Sequence, residues 1–305
     1  MFNPGNHILI TGSHRSGTTW VGRTVAQHPQ IEYVHEPFNV DYPDPRVGLK
    51  LNTWFTECQS SDENEKIRAA FDRLLKTTSI LYPINLCKPV NWNLKSLLGF
   101  SKHLMVKNIL RPRILLKDPI ALMSAGWLHE TYNLQVVCMI RKPLAFVGSL
   151  KKAGWDFNFT NLQKQQKLMQ GCFGPFAEEV YKLCEYKGDF IERACLLWNV
   201  LHYRIAEYQK QYPAWLFVRY EDIAMDPARV FEEIFRHLGL AMDQKIRKYI
   251  AMYTSGKNET ETQVTTYGPR NSQESLKTWK TRLTPEECDR IENATINIAA
   301  LFYPD

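Results

Sequence analysis

The sequence predicts an α/β fold, a parallel sheet flanked by helices, and three observations carry that expectation. Short apolar runs alternate with longer stretches of helical period, the pattern of strands joined by crossover helices. A glycine-bearing turn follows the first apolar run and leads straight into a helix. Charged residues close several of the runs, at strand ends where open parallel sheets take up ligands.

The first strand is expected over 7–11, followed by a Gly/Ser turn and a helix over 18–27. A short second strand over 31–34 is closed by Glu36-Pro37. From 38 to 113 the alternation lapses. Asp41-Tyr42-Pro43-Asp44-Pro45 reads as a stiff loop and 63–76 as a helix, with Trp54, Phe55, Tyr82 and Trp92 scattered between. The stretch 38–110 is therefore a mainly helical insertion after the second strand. It either walls a substrate pocket or simply caps the sheet.

The pattern resumes with strands over 114–117 and 134–140, a helix from Pro143, a helical region over 162–211 and a last strand over 215–219. Within that region Ile191, Ala194, Cys195, Trp198, Leu201 and Ile205 share one helical face. Helices from Pro227 and Asp243, a Gly/Ser/Thr-rich loop over 254–271 and a helix from Pro285 complete the chain. With no internal repeat and no linker, residues 1–305 read as one domain.

The formal charge of +6 is spread along the chain with no basic stripe, which argues against a nucleic-acid partner. The 7 cysteines form no C-x-x-C pair and no Cys/His cluster, so neither a zinc site nor a disulfide framework is expected. The first ten residues show no charged n-region or cleavage site and no run of about 18 apolar residues occurs, so neither a leader nor a membrane span is expected. These features point to the cytoplasm. A homodimer is among the assemblies to be expected.

The most informative segment is Ile8-Leu9-Ile10-Thr11-Gly12-Ser13-His14-Arg15-Ser16-Gly17-Thr18-Thr19-Trp20. Backbone N–H groups between a strand and a helix, with the helix dipole behind them, form an anion site. The glycines have Walker A spacing, but Thr18 stands where a nucleoside triphosphatase has Lys. The cation comes earlier, at Arg15, which suits a single 5′-phosphate whose substituent departs past the loop's basic residue. Downstream, Arg141 ends an apolar run, and Ser149 lies eight residues later, about two helical turns along.

These two segments resemble the PAPS-dependent sulfotransferase family, in particular its bacterial and carbohydrate-directed members. In that family a Lys or Arg precedes Ser-Gly-Thr-Thr-Trp, and an Arg at a strand end is followed eight residues later by a Ser. The resemblance implies the sulfotransferase fold and 3′-phosphoadenosine-5′-phosphosulfate (PAPS) as donor, with 3′-phosphoadenosine-5′-phosphate (PAP) as product. It implies no required metal. Arg15, Ser16, Gly17, Thr18 and Thr19 would hold the 5′-phosphate, and Arg141 and Ser149 the 3′-phosphate. Trp20 would contact adenine, unless it serves only helix-to-sheet packing.

Val218-Arg219-Tyr220 resembles the segment whose Tyr lies near adenine. Arg270-Asn271-Ser272 and then Ser275-Leu276-Lys277-Thr278-Trp279-Lys280 resemble, more loosely, the loop that closes over the 3′-phosphate, although the Arg-Lys-Gly of steroid and phenol sulfotransferases is absent. The acceptor is expected to be a small molecule or glycan, with a saccharide hydroxyl ahead of an amine. Trp155 suits stacking on a sugar ring, and would equally line a pocket for a lipid or polyketide alcohol. A P-loop kinase and a non-catalytic nucleotide-binding module are the rival readings.

For the chemistry, Arg15 leads as the cation that steadies the departing nucleotide, with Lys117 second. Three strand-end residues contend as base: Glu36, placed as in some carbohydrate sulfotransferases, Asp118 and His35. Asp118 stands where the phenol and steroid enzymes have His. It also suits a helix N-cap ahead of Pro119.

Overall fold

The computed structural model of the chain describes residues 6–58, 64–76, 112–171, 173–186, 188–256, 268 and 271–304. Five strands, β1 (Ile8–Gly12), β2 (Ile31–His35), β3 (Arg113–Lys117), β4 (Gln135–Ile140) and β5 (Leu216–Arg219), form one sheet in the order β2-β3-β1-β4-β5. All four pairings are parallel, with Ile8 opposite both Leu115 and Gln135. All five carboxyl ends therefore open on one edge.

Alternation along the strands explains why both faces are covered. Leu9, Leu116, Val136, Cys138 and Ile140 belong to one buried cluster, and Ile8, Ile10, Leu115, Val137 and Met139 to the other. On the first face lie the helices Pro143–Ala153, Phe190–Gln211 and Pro285–Ala299, together with Val47, Leu49 and Phe55 of the insertion. On the second lie α1 (Thr18–Val25) and the helices Pro227–His237 and Gln244–Thr254.

Helix starts follow local chemistry. Asp189, Asp226 and Asp243 each accept a backbone N–H as N-cap, and Thr284 with Glu287 forms a capping box. The Asp189 cap also explains a difference from the sequence reading. The expected helical region over 162–211 is broken into short pieces, a helix Ala177–Tyr186 and the long helix Phe190–Gln211. In the insertion, a helix Glu65–Phe71 continues as a π-helical turn, Asp72–Lys76. Tyr82, Trp92, Arg270 and most of the 254–271 loop lie outside the described residues. No helix among the described residues is long and apolar enough to cross a membrane.

Gly12 ends β1 at φ 124, and a Cβ there would stand 2.1 Å from the Met139 carbonyl oxygen of β4. Rigid backbone cannot yield as a flexible side chain can. Gly12→Ala is therefore expected to cost at least about 2 kcal/mol and to lower Tm by about 4 °C or more, read by thermal unfolding.

Candidate functional site

The site is built at the carboxyl edge of the sheet. The turn after β1 places Arg15 at φ 65 and Gly17 at φ 84, the left-handed region, and α1 starts at Thr18. Only glycine fits at 17, because a Cβ would approach Tyr220 Cδ2 to 2.8 Å. Ser13 and Ser16 are buried and their hydroxyls hydrogen-bond each other.

Four described residues other than glycine have positive φ: Arg15, Glu36, Phe55 and Asn133. Asn133 is an ordinary left-handed helix C-cap. The other three surround this edge, where strained backbone is commonly retained for function.

Arg15 and Arg141 meet here although 126 residues separate them. Arg141 follows β4 directly and donates from Nη1 to the Arg15 carbonyl oxygen. Arg15 in turn donates from Nε to Ser149 Oγ at 3.0 Å. The helix Pro143–Ala153 thus packs back over the loop, as a Ser eight residues after the Arg requires.

Arg141 is 8% exposed, and its Nε has no protein partner. Its guanidinium lies 4.6 Å from the Tyr220 ring centroid, and no ion pair to a carboxylate is found for it among the described residues. Burial holds its pKa below the usual arginine value while Tyr220 and Glu221 pull the other way. A buried cation of this kind calls for an anion.

The backbone of Arg141 is held at both ends by the helix Phe190–Gln211. Trp198 Nε1 donates to the Arg141 carbonyl at 2.9 Å, and the Arg141 N–H points to His202 Nε2 at 3.5 Å. His202 is stacked on Trp198 and contacts the Trp198 carbonyl through Nδ1 at 2.9 Å. Complete burial pushes its pKa down to about 3, so it is the neutral ring with Nδ1–H donating and Nε2 accepting. Sequence reasoning missed His202 entirely and placed Trp198 only on an apolar helical face.

Tyr220, directly after β5, hydrogen-bonds Ser275 through its hydroxyl at 2.8 Å. Ser272 donates to the Ala224 carbonyl at 2.8 Å, and Trp279 packs on Gly148. The described part of the C-terminal segment therefore lies across both the helix Pro143–Ala153 and the short helix Tyr220–Met225. Trp20 packs edge-on against Phe231 and Tyr220, at ring distances of 5.5 and 6.4 Å, and its Nε1 has no protein partner. Thr18 is buried and Thr19 half-buried in the first turn of α1.

The second group lies at the ends of β2 and β3. Glu36, at φ 48, donates its N–H to the Lys117 carbonyl at 2.9 Å, and its Oε1 is ion-paired with Lys117 Nζ. Asn39 Nδ2 donates to the other carboxylate oxygen at 2.7 Å. Lys117 is fully buried. Burial pushes the Glu36 pKa up, but the Lys117 charge, its hydrogen bond and the Asn39 bond together hold it below the usual carboxylate value. For Lys117 burial wins, and its pKa falls despite the Glu36 charge.

His35 is half-exposed, with Nδ1 3.1 Å from Tyr33 Oη and Nε2 3.9 Å from Glu36 Oε2. Its pKa is lowered by burial first, then by the Lys117 charge.

Asp118 differs from the sequence reading of a base. It is fully buried, and its oxygens accept three backbone N–H groups, from Phe38 at 2.6 Å, Ile120 at 2.9 Å and Ala121 at 3.1 Å. It starts the 3₁₀ turn Ile120–Ser124 and ties the insertion to β3. Burial, then the Glu36 charge, pushes its pKa up to about 7. Its oxygens face backbone donors inside the fold. Lys117, the second cation read from the sequence, has its ammonium in the ion pair with Glu36.

A family model described as "Sulfotransferase family" matches residues 7–244. Carbohydrate sulfotransferase 1 of Rattus norvegicus is 23% identical over 345 residues, covering 96% of this chain and 78% of that protein. Carbohydrate sulfotransferase 5 of Mus musculus is 22% identical over 320 residues, covering 89% and 71%. Among solved structures, the sulfotransferase domain from the Synechococcus PCC 7002 olefin synthase aligns over 100% of this chain and 97% of its own, at 17% identity and a TM-score of 0.48. The match over residues 7–244 spans the phosphate loop and the Arg141–Ser149 segment together, and the chain belongs to the sulfotransferase family.

Proposed function

We propose that this sulfotransferase moves the sulfuryl group of PAPS to a hydroxyl of a saccharide or glycoconjugate and releases PAP, with no metal taking part. The buried charge of Arg141, next to Arg15 and in ion pair with no carboxylate among the described residues, is the observation that carries the donor assignment. A 3′-phosphate supplies the anion that this charge calls for. The turn from Arg15 to Thr19 takes the 5′-phosphate through its N–H groups and the start of α1.

Glu36 is the base. The acceptor oxygen attacks sulfur, the bond from sulfur to the 5′-phosphate oxygen breaks, and the acceptor proton passes to Glu36. Arg15 stabilises the charge that builds on the departing phosphate, and it does so electrostatically because it remains protonated at neutral pH. Asn39 and Lys117 hold the Glu36 carboxylate in place. Asp118 keeps β3 and the insertion in register, and His35 borders the site.

The two named relatives are carbohydrate sulfotransferases. That supports a sugar acceptor, as does the half-buried pair Trp54 and Trp155 near the phosphate loop. The cysteines at 58, 138, 184, 195 and 288 are free thiols, which suits a reducing compartment such as the cytoplasm. Family membership leaves the kinase reading without support.

PAP added at 100 times its Kd is expected to stabilise the protein by about 2.7 kcal/mol, a rise of several degrees in Tm, without metal. AMP, ADP and ATP with or without Mg²⁺ serve as controls. Stabilisation by Mg²⁺-ATP but not by PAP would overturn the assignment.

A further inference from the structure

His14 stands apart from the rest of the phosphate loop. Its imidazole is 4% exposed, yet neither ring nitrogen has a protein hydrogen-bond partner. Aromatic rings surround it instead: Trp155 at 4.6 Å, Phe146 at 4.8 Å and Phe55 at 5.8 Å between centroids, with Trp54 meeting Trp155 at 5.9 Å.

Polar clamps hold this box together. Asn161 Oδ1 accepts the Trp54 N–H at 3.0 Å, and Gln165 accepts the Glu57 N–H at 2.8 Å while donating to the Phe55 carbonyl at 3.3 Å. Phe55 itself is kept at φ 57. Trp54 and Trp155 are only half-buried, so the box reaches the surface on their side.

Packing alone does not account for an imidazole here. A buried polar group without a partner costs about 1–3 kcal/mol, and a phenyl ring of similar shape would fill an aromatic box without that cost. Burial, then the Arg15 charge, holds the ring neutral. A neutral imidazole offers one donor and one acceptor, the complement of a hydroxyl. A carboxylate or sulfate would need donors only. His14 also adjoins Arg15, the cation assigned to the departing phosphate, so a group bonded to His14 sits beside the transfer.

We propose that His14, with Trp54 and Trp155, forms the acceptor subsite: a ring nitrogen hydrogen-bonds a non-reacting hydroxyl of an uncharged sugar unit whose apolar face lies against the tryptophans. His14 is then a specificity residue that selects neutral over anionic sugar units. The inference rests on the sugar-acceptor reading above and names the residues that carry it.

Saturation-transfer NMR on the PAP-saturated protein tests it, with the methyl glycosides of galactose, glucose and N-acetylglucosamine against methyl glucuronoside. The neutral glycosides are expected to receive saturation and the glucuronoside little. His14→Phe is expected to weaken the neutral glycosides by about tenfold, the worth of one hydrogen bond, while Tm holds or rises and PAP still stabilises the protein. His14→Asn, which keeps a donor and an acceptor, retains part of the binding. Should His14→Phe not fold, His14→Leu makes the same comparison. Neutral glycosides bound equally well by the apolar variant, or a wild-type preference for the glucuronoside, or no glycoside contact in the PAP-saturated wild type, would each overturn the inference. Failure of PAP to stabilise the wild type would instead bring down the donor assignment, so the two failures are distinguishable.

Discussion

Glu36→Gln is expected to lower kcat by about 10² to 10⁴ while leaving the affinity for PAP unchanged, because general-base catalysis contributes on that scale. The amide has nearly the shape of the carboxylate, and its oxygen still accepts from Lys117 Nζ, while its NH2 gives up the bond from Asn39 Nδ2. What it loses is the ability to take the acceptor proton. Steady-state sulfuryl transfer and PAP titration by thermal shift separate the two quantities. A variant that transfers at the wild-type rate would remove Glu36 from the chemistry.

The pH profile identifies the base independently. Glu36 is held below the usual carboxylate range, chiefly by Lys117 acting against burial, so it stays ionised through neutrality. With Glu36 as base, the rate stays level as pH falls through 7 and drops only below about 4.5, near or under the ordinary carboxylate value. With Asp118 as base the acid limb would stand near pH 7. The sign for stability follows from the same depression: the Glu36 contribution is present above its unfolded-state pKa and is lost as pH falls through the lower folded value. A carboxylate paired to an ammonium is a weak base, so proton transfer lags behind attack on sulfur.

Arg141→Ala is expected to weaken PAP by about a hundredfold or more, since hydrogen bonds to a charged group are worth about 1.5–3 kcal/mol each. AMP, which lacks the 3′-phosphate, should change little, so the ratio of PAP to AMP affinity is the decisive quantity. Arg141→Lys keeps the charge without the planar fork and should recover part of the loss. Equal weakening of both nucleotides would mean that Arg141 acts by shaping the Arg15 turn, to whose carbonyl it donates, and not by binding the 3′-phosphate.

Much of this architecture was legible in local chemistry. Strand β1, the turn at Gly12–Gly17 and the start of α1 could be read because one short segment holds the apolar run, both glycines and the hydroxyls. The strands and their charged ends were legible for the same reason, to within a residue or two. Harder to read was the region 162–211, where continuous helical character concealed the break capped by Asp189. Among the site residues, Asp118 was ambiguous because a strand-end carboxylate before proline reads alike as base or as cap. Its three N–H partners, seen only in the fold, favour the cap. His14 and His202 carried no signal, since an isolated histidine in a sequence says nothing about its surroundings.

By itself, the sequence determined the class of the sheet, the glycine turn after β1 and the family, because each depends on periodicity or on residues adjacent in the chain. The tertiary structure decided which charges meet. Arg141 reaches the Arg15 carbonyl across 126 residues, and Lys117 finds Glu36 across 81. The physical reason is that a parallel sheet gathers the carboxyl ends of distant strands on one edge, where burial and ion pairing set each group's charge. Those quantities are properties of the packed neighbourhood and not of the local chain.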